Sequence, residues 1–384
     1  MKRVFLDNAA TTTLHPAVIE AMVEAMDGRY GNPSSIHAEG RAARAALEQA
    51  RKTVARFIGA SIGEVFFTSG GTESNNMALK CAVRDLGVVR IISSPTEHHC
   101  VLHSLEAIER SGKARIDFVN IDAKGHIMVN HLEELLQQDA GKTLVSLMHS
   151  NNEIGSMIDL DEIAALCRRY NALFHTDTVQ TMGYFPINVS ETPISFLSGS
   201  AHKFHGPKGI GFIYINRENI VRPFVDGGSQ ERNMRGGTEN FYGIIGLAKA
   251  LQIACDNMEA NRRQITEVRN YFADQLRLYI EDVQFNGDPF ERAHYKVLSA
   301  SFPASAKSDL LLLNLDVEGI SASGGSACSS GADAGSHVIA ALGGDATRTT
   351  VRFSFSDLNT REEVDFVIEK LRKLLPAAKQ MAFF

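Results

Sequence analysis

Lys203 lies in Ser200-Ala201-His202-Lys203-Phe204-His205-Gly206-Pro207-Lys208-Gly209, between two apolar runs, Ile194 to Leu197 and Phe212 to Ile215. A loop lysine is often simply solvated. One held near other cations or in an apolar pocket loses its proton more easily and becomes a nucleophile toward an aldehyde. Thr68-Ser69-Gly70-Gly71-Thr72-Glu73-Ser74-Asn75-Asn76 follows another apolar run, Val65 to Phe67, and opens a helical pattern. Glycine amides at a helix start can cradle an anion, and Thr72 adds a hydroxyl; the plainer reading is an ordinary strand–turn–helix junction. In His175-Thr176-Asp177-Thr178-Val179-Gln180, a carboxylate follows the run Leu173-Phe174. Asp177 is either a helix N-cap or a buried acid that needs a cationic partner such as a ring nitrogen. Gln180 could donate to a phenolic oxygen. Aldehyde, phosphate, ring nitrogen and phenolic oxygen are the parts of pyridoxal 5'-phosphate, which supplies an electron sink.

Four further residues could act on a substrate. His98, in Thr96-Glu97-His98-His99-Cys100, could stack on a planar ring and move protons. Its neighbour His99 must point elsewhere. Asn152, in Asn151-Asn152-Glu153, offers an amide to a cofactor or a carboxylate. Arg352 is a charge inside the strand-like run Thr350 to Ser354, placed for a carboxylate or an internal salt bridge. Cys328 sits among small residues, Gly324-Gly325-Ser326-Ala327-Cys328-Ser329-Ser330-Gly331, where a thiol can reach out and attack. The other four cysteines, Cys81, Cys100, Cys167 and Cys255, have ordinary surroundings by sequence.

The elements that must position these groups alternate. Short apolar runs at 65–67, 88–92, 144–148, 173–174, 194–197 and 212–215 are separated mostly by helical stretches, which predicts a mainly parallel sheet covered on both faces. Ligands bind such sheets beyond the carboxyl ends of the strands, where these residues fall. Helices are expected from Pro16 to Met26, from Gly40 to Phe57, over 160–170 and over 257–279, followed by a smaller α+β part. Thr360 to Glu363 has a capping-box pattern. With 384 residues, 44% of them hydrophobic, 22% charged and a net charge of −6, the chain reads as a globular enzyme of two domains, or of one large domain with an appendage. That charge argues against direct nucleic-acid binding, and no apolar run is long enough for a membrane span. Residues Met1 to Asp7 lack a signal-peptide apolar core, which suggests a cytoplasmic setting, and the five widely spaced cysteines suggest reduced thiols with no metal site.

Taken together, Leu6 to Thr12, Gly31 to Ser35, Thr68 to Asn76, Thr96 to His98, Asn151 to Gly155, His175 to Gln180, Ala201 to Gly209, Arg235 to Asn240 and Gly325 to Cys328 resemble the cysteine desulfurases. These belong to the class V aminotransferase superfamily, and the likeness is to its nitrogen-fixation and iron–sulfur-assembly branch. The resemblance implies an α/β fold of type I, with a large domain over 15–255 built on a seven-stranded, mainly parallel sheet. A small α+β domain, 1–14 and 256–384, would carry the Cys328 loop. It implies a homodimer in which Lys203 binds pyridoxal phosphate as a Schiff base. Asp177 would meet the ring nitrogen, Gln180 the phenolic oxygen and His98 the ring face. Gly71, Thr72, Ser200, His202 and a partner's Thr238 would hold the phosphate. Asn152 and Arg352 would bind the carboxylate of L-cysteine, and Cys328 would take its sulfur as a persulfide. An iron–sulfur contact, if one is made, would go through Cys328. The sulfur acceptor would be an iron–sulfur scaffold or a tRNA-thiolation enzyme. A selenocysteine lyase or aminotransferase of the same superfamily would not need Cys328, and a non-catalytic sulfur carrier would not need Lys203, Asp177 or His98. Two departures stand out: Thr178 replaces the usual alanine, and Asp333-Ala334-Gly335 replaces Leu-Glu-Pro.

Overall fold

The computed structural model describes residues 3–138, 141–304, 308, 310–324 and 335–376. Its centre is a seven-stranded sheet, and the side-chain alternation of its strands explains how two cores form. Val65 and Phe67 enter one core and Phe66 the other; Phe212 and Tyr214 are opposed in the same way to Ile213 and Ile215. Both faces of these two strands are apolar because both are covered, as a largely parallel sheet requires. From edge to edge the order is Val65–Thr68, Gly211–Ile215, Phe196–Ser200, Leu173–Asp177, Thr143–Ser146, Arg90–Ser93 and Arg115–Phe118. Gly211–Ile215 runs antiparallel to both neighbours and every other pairing is parallel.

Six of the seven strands coincide with the apolar runs. The seventh, Arg115–Phe118, is an edge strand whose Arg115 and Asp117 pair at 2.7 Å in partial solvent, so it carries no apolar run. The helix Ala38–Ile58 buries Ala43, Leu47, Ala50 and Val54 on one stripe and ends at Gly59, whose φ of 68° is the left-handed conformation glycine adopts freely. The closing helix Arg361–Leu374 begins with the expected reciprocal bonds between Thr360 and Glu363. The apolar stretch 310–315 is helical, as Leu311–Val317.

Two small sheets stand apart from the large one. Thr349–Ser354, Val297–Phe302 and Gln284–Phe285 form an antiparallel three-stranded sheet. Val4–Phe5 pairs in parallel with Ile320–Ser321. Among the described residues no helix is long and apolar enough to cross a membrane.

Candidate active site

The parallel strands deliver their carboxyl ends to one cavity. Beyond Arg90–Ser93 comes His98, beyond Thr143–Ser146 comes Asn152, Asp177 ends its own strand, and Lys203 follows Phe196–Ser200. All four line the same pocket. Gly71 and Thr72 open the helix Gly71–Asp85 at its rim, and Ser200, His202, Gln180 and Arg352 complete the wall. A Cβ built on Gly71 would meet Val179 Cγ2 at 2.6 Å, so a side chain at this helix start would have to displace Val179.

Lys203 Nζ donates to the carbonyls of Ala9 and Ala10 at 2.6 and 2.7 Å. Gln180 Nε2 donates to Ala9 O at 3.0 Å, and its buried Oε1 has no partner among the described residues. Asp177 accepts from the Val179 backbone at 2.9 Å and from the Asn75 amide at 2.7 Å. Burial still pushes its carboxyl above the usual range against these bonds and the Lys203 charge. Burial first, then Lys203, pushes His202 down to about 3. Arg352 Nη2 pairs with Asp7 at 2.8 Å and its Nη1 donates to Asn152 O at 2.9 Å, while its buried Nε has no partner among the described residues.

A family model described as aminotransferase class V matches residues 4–367. A cysteine desulfurase IscS of Dictyoglomus turgidum is 42% identical over 98% of this chain and 97% of its own length. An IscS-like cysteine desulfurase of Mycobacterium tuberculosis is 36% identical, with 98% of each chain covered. The solved structure of a NifS-like protein superposes with a TM-score of 0.89 at 34% identity, covering 97% of this chain and 99% of that one. The chain belongs to the class V aminotransferases, among the IscS/NifS-like cysteine desulfurases.

Seen as a desulfurase of this family, the chain brings together nearly every residue singled out from sequence. Thr238 is elsewhere: it lines a separate depression with Arg235 and Asn240. Cys328 lies outside the described residues, but the chain on either side of it is tied to neighbours of the pocket wall: Asp7, which pairs with Arg352, and Glu153, which follows Asn152. Ser323 Oγ donates to Asp7 at 2.8 Å, and Ser336 Oγ to Glu153 at 2.5 Å. His99 does turn away from the pocket, packing at 4.4 Å between ring centroids from His337.

Several members of the site left a weaker trace in the sequence. Cys100 is not in ordinary surroundings: it lines the pocket, within 3.1 Å of His98 Nδ1, and burial pushes its thiol up to about 12. Asn75 links Asp177 to His175 Nε2 at 3.2 Å, and His175 is pushed down to about 3 by burial. These residues fall inside motifs, but their spacing does not disclose a partner 100 residues away. Ala9 and Ala10 act through backbone carbonyls, which no side-chain pattern reveals.

Proposed function

We propose that this desulfurase binds pyridoxal 5'-phosphate, converts L-cysteine to L-alanine and holds the released sulfur as a persulfide on Cys328. The observation that carries this reading is the convergence of Lys203, Asp177, the Gly71–Thr72 turn and Arg352 on one pocket. The pocket also suits the cofactor chemically. Asp177 is buried against its own charge, a penalty that a protonated ring nitrogen would remove. Gln180 Oε1 lacks a partner among the described residues, and a side chain at Gly71 would have to displace Val179. Lys203 would hold the aldehyde, Asp177 the ring nitrogen, Gln180 the phenolic oxygen and His98 the ring face. Gly71, Thr72, Ser200 and His202 would hold the phosphate at a helix N-terminus.

When bound, the cofactor supplies an electron sink for the amino acid's α-carbon. Arg352 and the Asn152 amide hold the substrate carboxylate. The Lys203 amine removes the α-proton, from a position set by the Ala9 and Ala10 carbonyls. The Cys328 thiolate attacks the substrate sulfur. An S–S bond forms, the Cβ–S bond breaks with its electron pair left on carbon, and that carbon takes up a proton before alanine leaves. A thiolate of an iron–sulfur scaffold or a tRNA-thiolation enzyme then attacks the outer sulfur of the persulfide, and Cys328 leaves as a thiolate.

The same reading takes the protein as a cytoplasmic homodimer, with Thr238 entering the partner's pocket. It divides the chain into a large domain, 15–255, and a small one, 1–14 with 256–384. The pairing of Val4–Phe5 with Ile320–Ser321 supports that division, and the free thiols of Cys81, Cys100, Cys167 and Cys255 support a reducing compartment. The test is release of alanine and sulfide from L-cysteine with a thiol reductant. Wild type should release both, and Cys328→Ala should stay yellow and release neither. A Cys328→Ala variant as active as wild type would make a lyase the better account.

A further inference from the structure

His98 is at once the residue before the helix His99–Arg110 and part of the pocket wall. Its Nδ1 lies 3.1 Å from the backbone nitrogen of Cys100, as a helix cap. A backbone N–H can only donate. Nδ1 therefore presents a lone pair, and the single proton of the neutral ring is on Nε2. The Cys100 thiol points the same way. It lies 3.1 Å from the same nitrogen and keeps its proton, while its sulfur accepts from the Asn75 amide at 3.3 Å. A proton on Nδ1 would have to displace the Cys100 amide.

The surroundings also oppose a second proton. The groups that act most on His98 are Lys203, His99 and His103 from its own helix, and His337 from the helix His337–Ala341, while Asp177, the acid of the same pocket, is taken up by Asn75 and Val179. None of the first four is an acid that would stabilise an imidazolium. Burial first and Lys203 second push His98 down to about 4.

We infer that His98 divides its ring between two tasks: Nδ1 caps the helix, and Nε2–H is a fixed hydrogen-bond donor facing the pocket. A bound amino acid meets an N–H there and not a base, so proton abstraction falls to Lys203. The division rests on the desulfurase reading only for the identity of the acceptor, and its first test needs no turnover.

That test is NMR of the holoenzyme labelled with 15N-histidine, the His98 signals being those lost in His98→Gln or His98→Asn. The expected spectrum has a protonated Nε2 and a bare Nδ1, unchanged between about pH 5 and 8. A transition inside that window, or a proton on Nδ1, overturns the inference. The two variants then separate the tasks. His98→Asn can still accept the Cys100 amide, so it should melt close to wild type and lose about 100-fold or more in L-cysteine turnover. His98→Gln keeps a distal N–H and loses the cap, so it should melt lower yet turn over at least about tenfold faster than His98→Asn. The reverse order of turnover also overturns it. Loss of turnover in wild type as well would instead sink the desulfurase reading and leave the spectrum to decide this one.

Discussion

Two buried arginines behave in opposite ways. Arg51 uses every nitrogen: Nε donates to Glu48 at 3.2 Å, Nη1 to Val65 O and Glu231 at 2.9 and 2.6 Å, and Nη2 to Glu231 at 2.9 Å. Glu231 in turn accepts from Phe67 N at 2.7 Å. This closed network anchors a turn of three non-glycine residues, Glu231, Arg232 and Asn233, with φ of 47°, 55° and 64°. Left-handed backbone at such residues is costly and persists only when its surroundings impose it. Arg352 is just as buried, but its network is open at Nε among the described residues, and it faces the pocket. A buried cation with every nitrogen bonded holds the fold. One with donors in reserve is a binding group.

The largest effect should come from breaking the closed network. Arg51→Ala would leave Glu231 buried without its charge partner and cost about 3–5 kcal/mol. Equilibrium unfolding in denaturant would show this, and a loss under 1 kcal/mol would mean that Glu231 is neutral or hydrated. In the open network the loss should be kinetic. Arg352→Lys removes the planar fork while keeping the charge, so KM for L-cysteine should rise roughly 10- to 100-fold with little change in melting temperature. A drop in stability with KM unchanged would reclassify Arg352 as structural.

Lys296 takes the open case to its limit. It is fully buried, its Nζ lies 4.1 Å from the Tyr184 ring centroid, and it has no hydrogen-bond partner among the described residues. Burial first, then Lys203 and Arg352, hold it well below the usual lysine range. The unfolded chain therefore binds a proton that the folded chain gives up. Wild-type stability should rise with pH up to the free-lysine value of about 10.4. Lys296→Met has no such slope and should be more stable near pH 7 by about 1 kcal/mol, an advantage that shrinks as the solution becomes alkaline. A difference independent of pH would show the amine to be charged and paired.

Much of this was legible in the chain. The apolar runs marked six of seven sheet strands because covered strands must be apolar on both faces, and the residues just after them converged on one pocket. Arg115–Phe118 was invisible because an edge strand can be built from paired charges. The role of Arg352 was foreseen as a choice between carboxylate binding and an internal salt bridge, and the structure gives it the salt bridge with donors to spare. Cys100 was misjudged because a cysteine after a histidine carries no sign of a shared hydrogen bond. Arg51 and Glu231, 180 residues apart, were missed because a long-range ion pair leaves no local pattern.

The segment from Val4 to Thr12 meets its partners very far along the chain. Thr12 and Ala9 contact His202 and Lys203 some 190 residues later, and Asp7 reaches Arg352 across 345. Such contacts close large loops and form late. During synthesis the first strand must wait, unpaired, until Ile320 and Ser321 have emerged. The large sheet can assemble on the ribosome well before that, so the protein should pass through a stage in which its central scaffold is folded while its lysine has no carbonyls to rest on. Maturation of the pocket is thus tied to translation past Arg352.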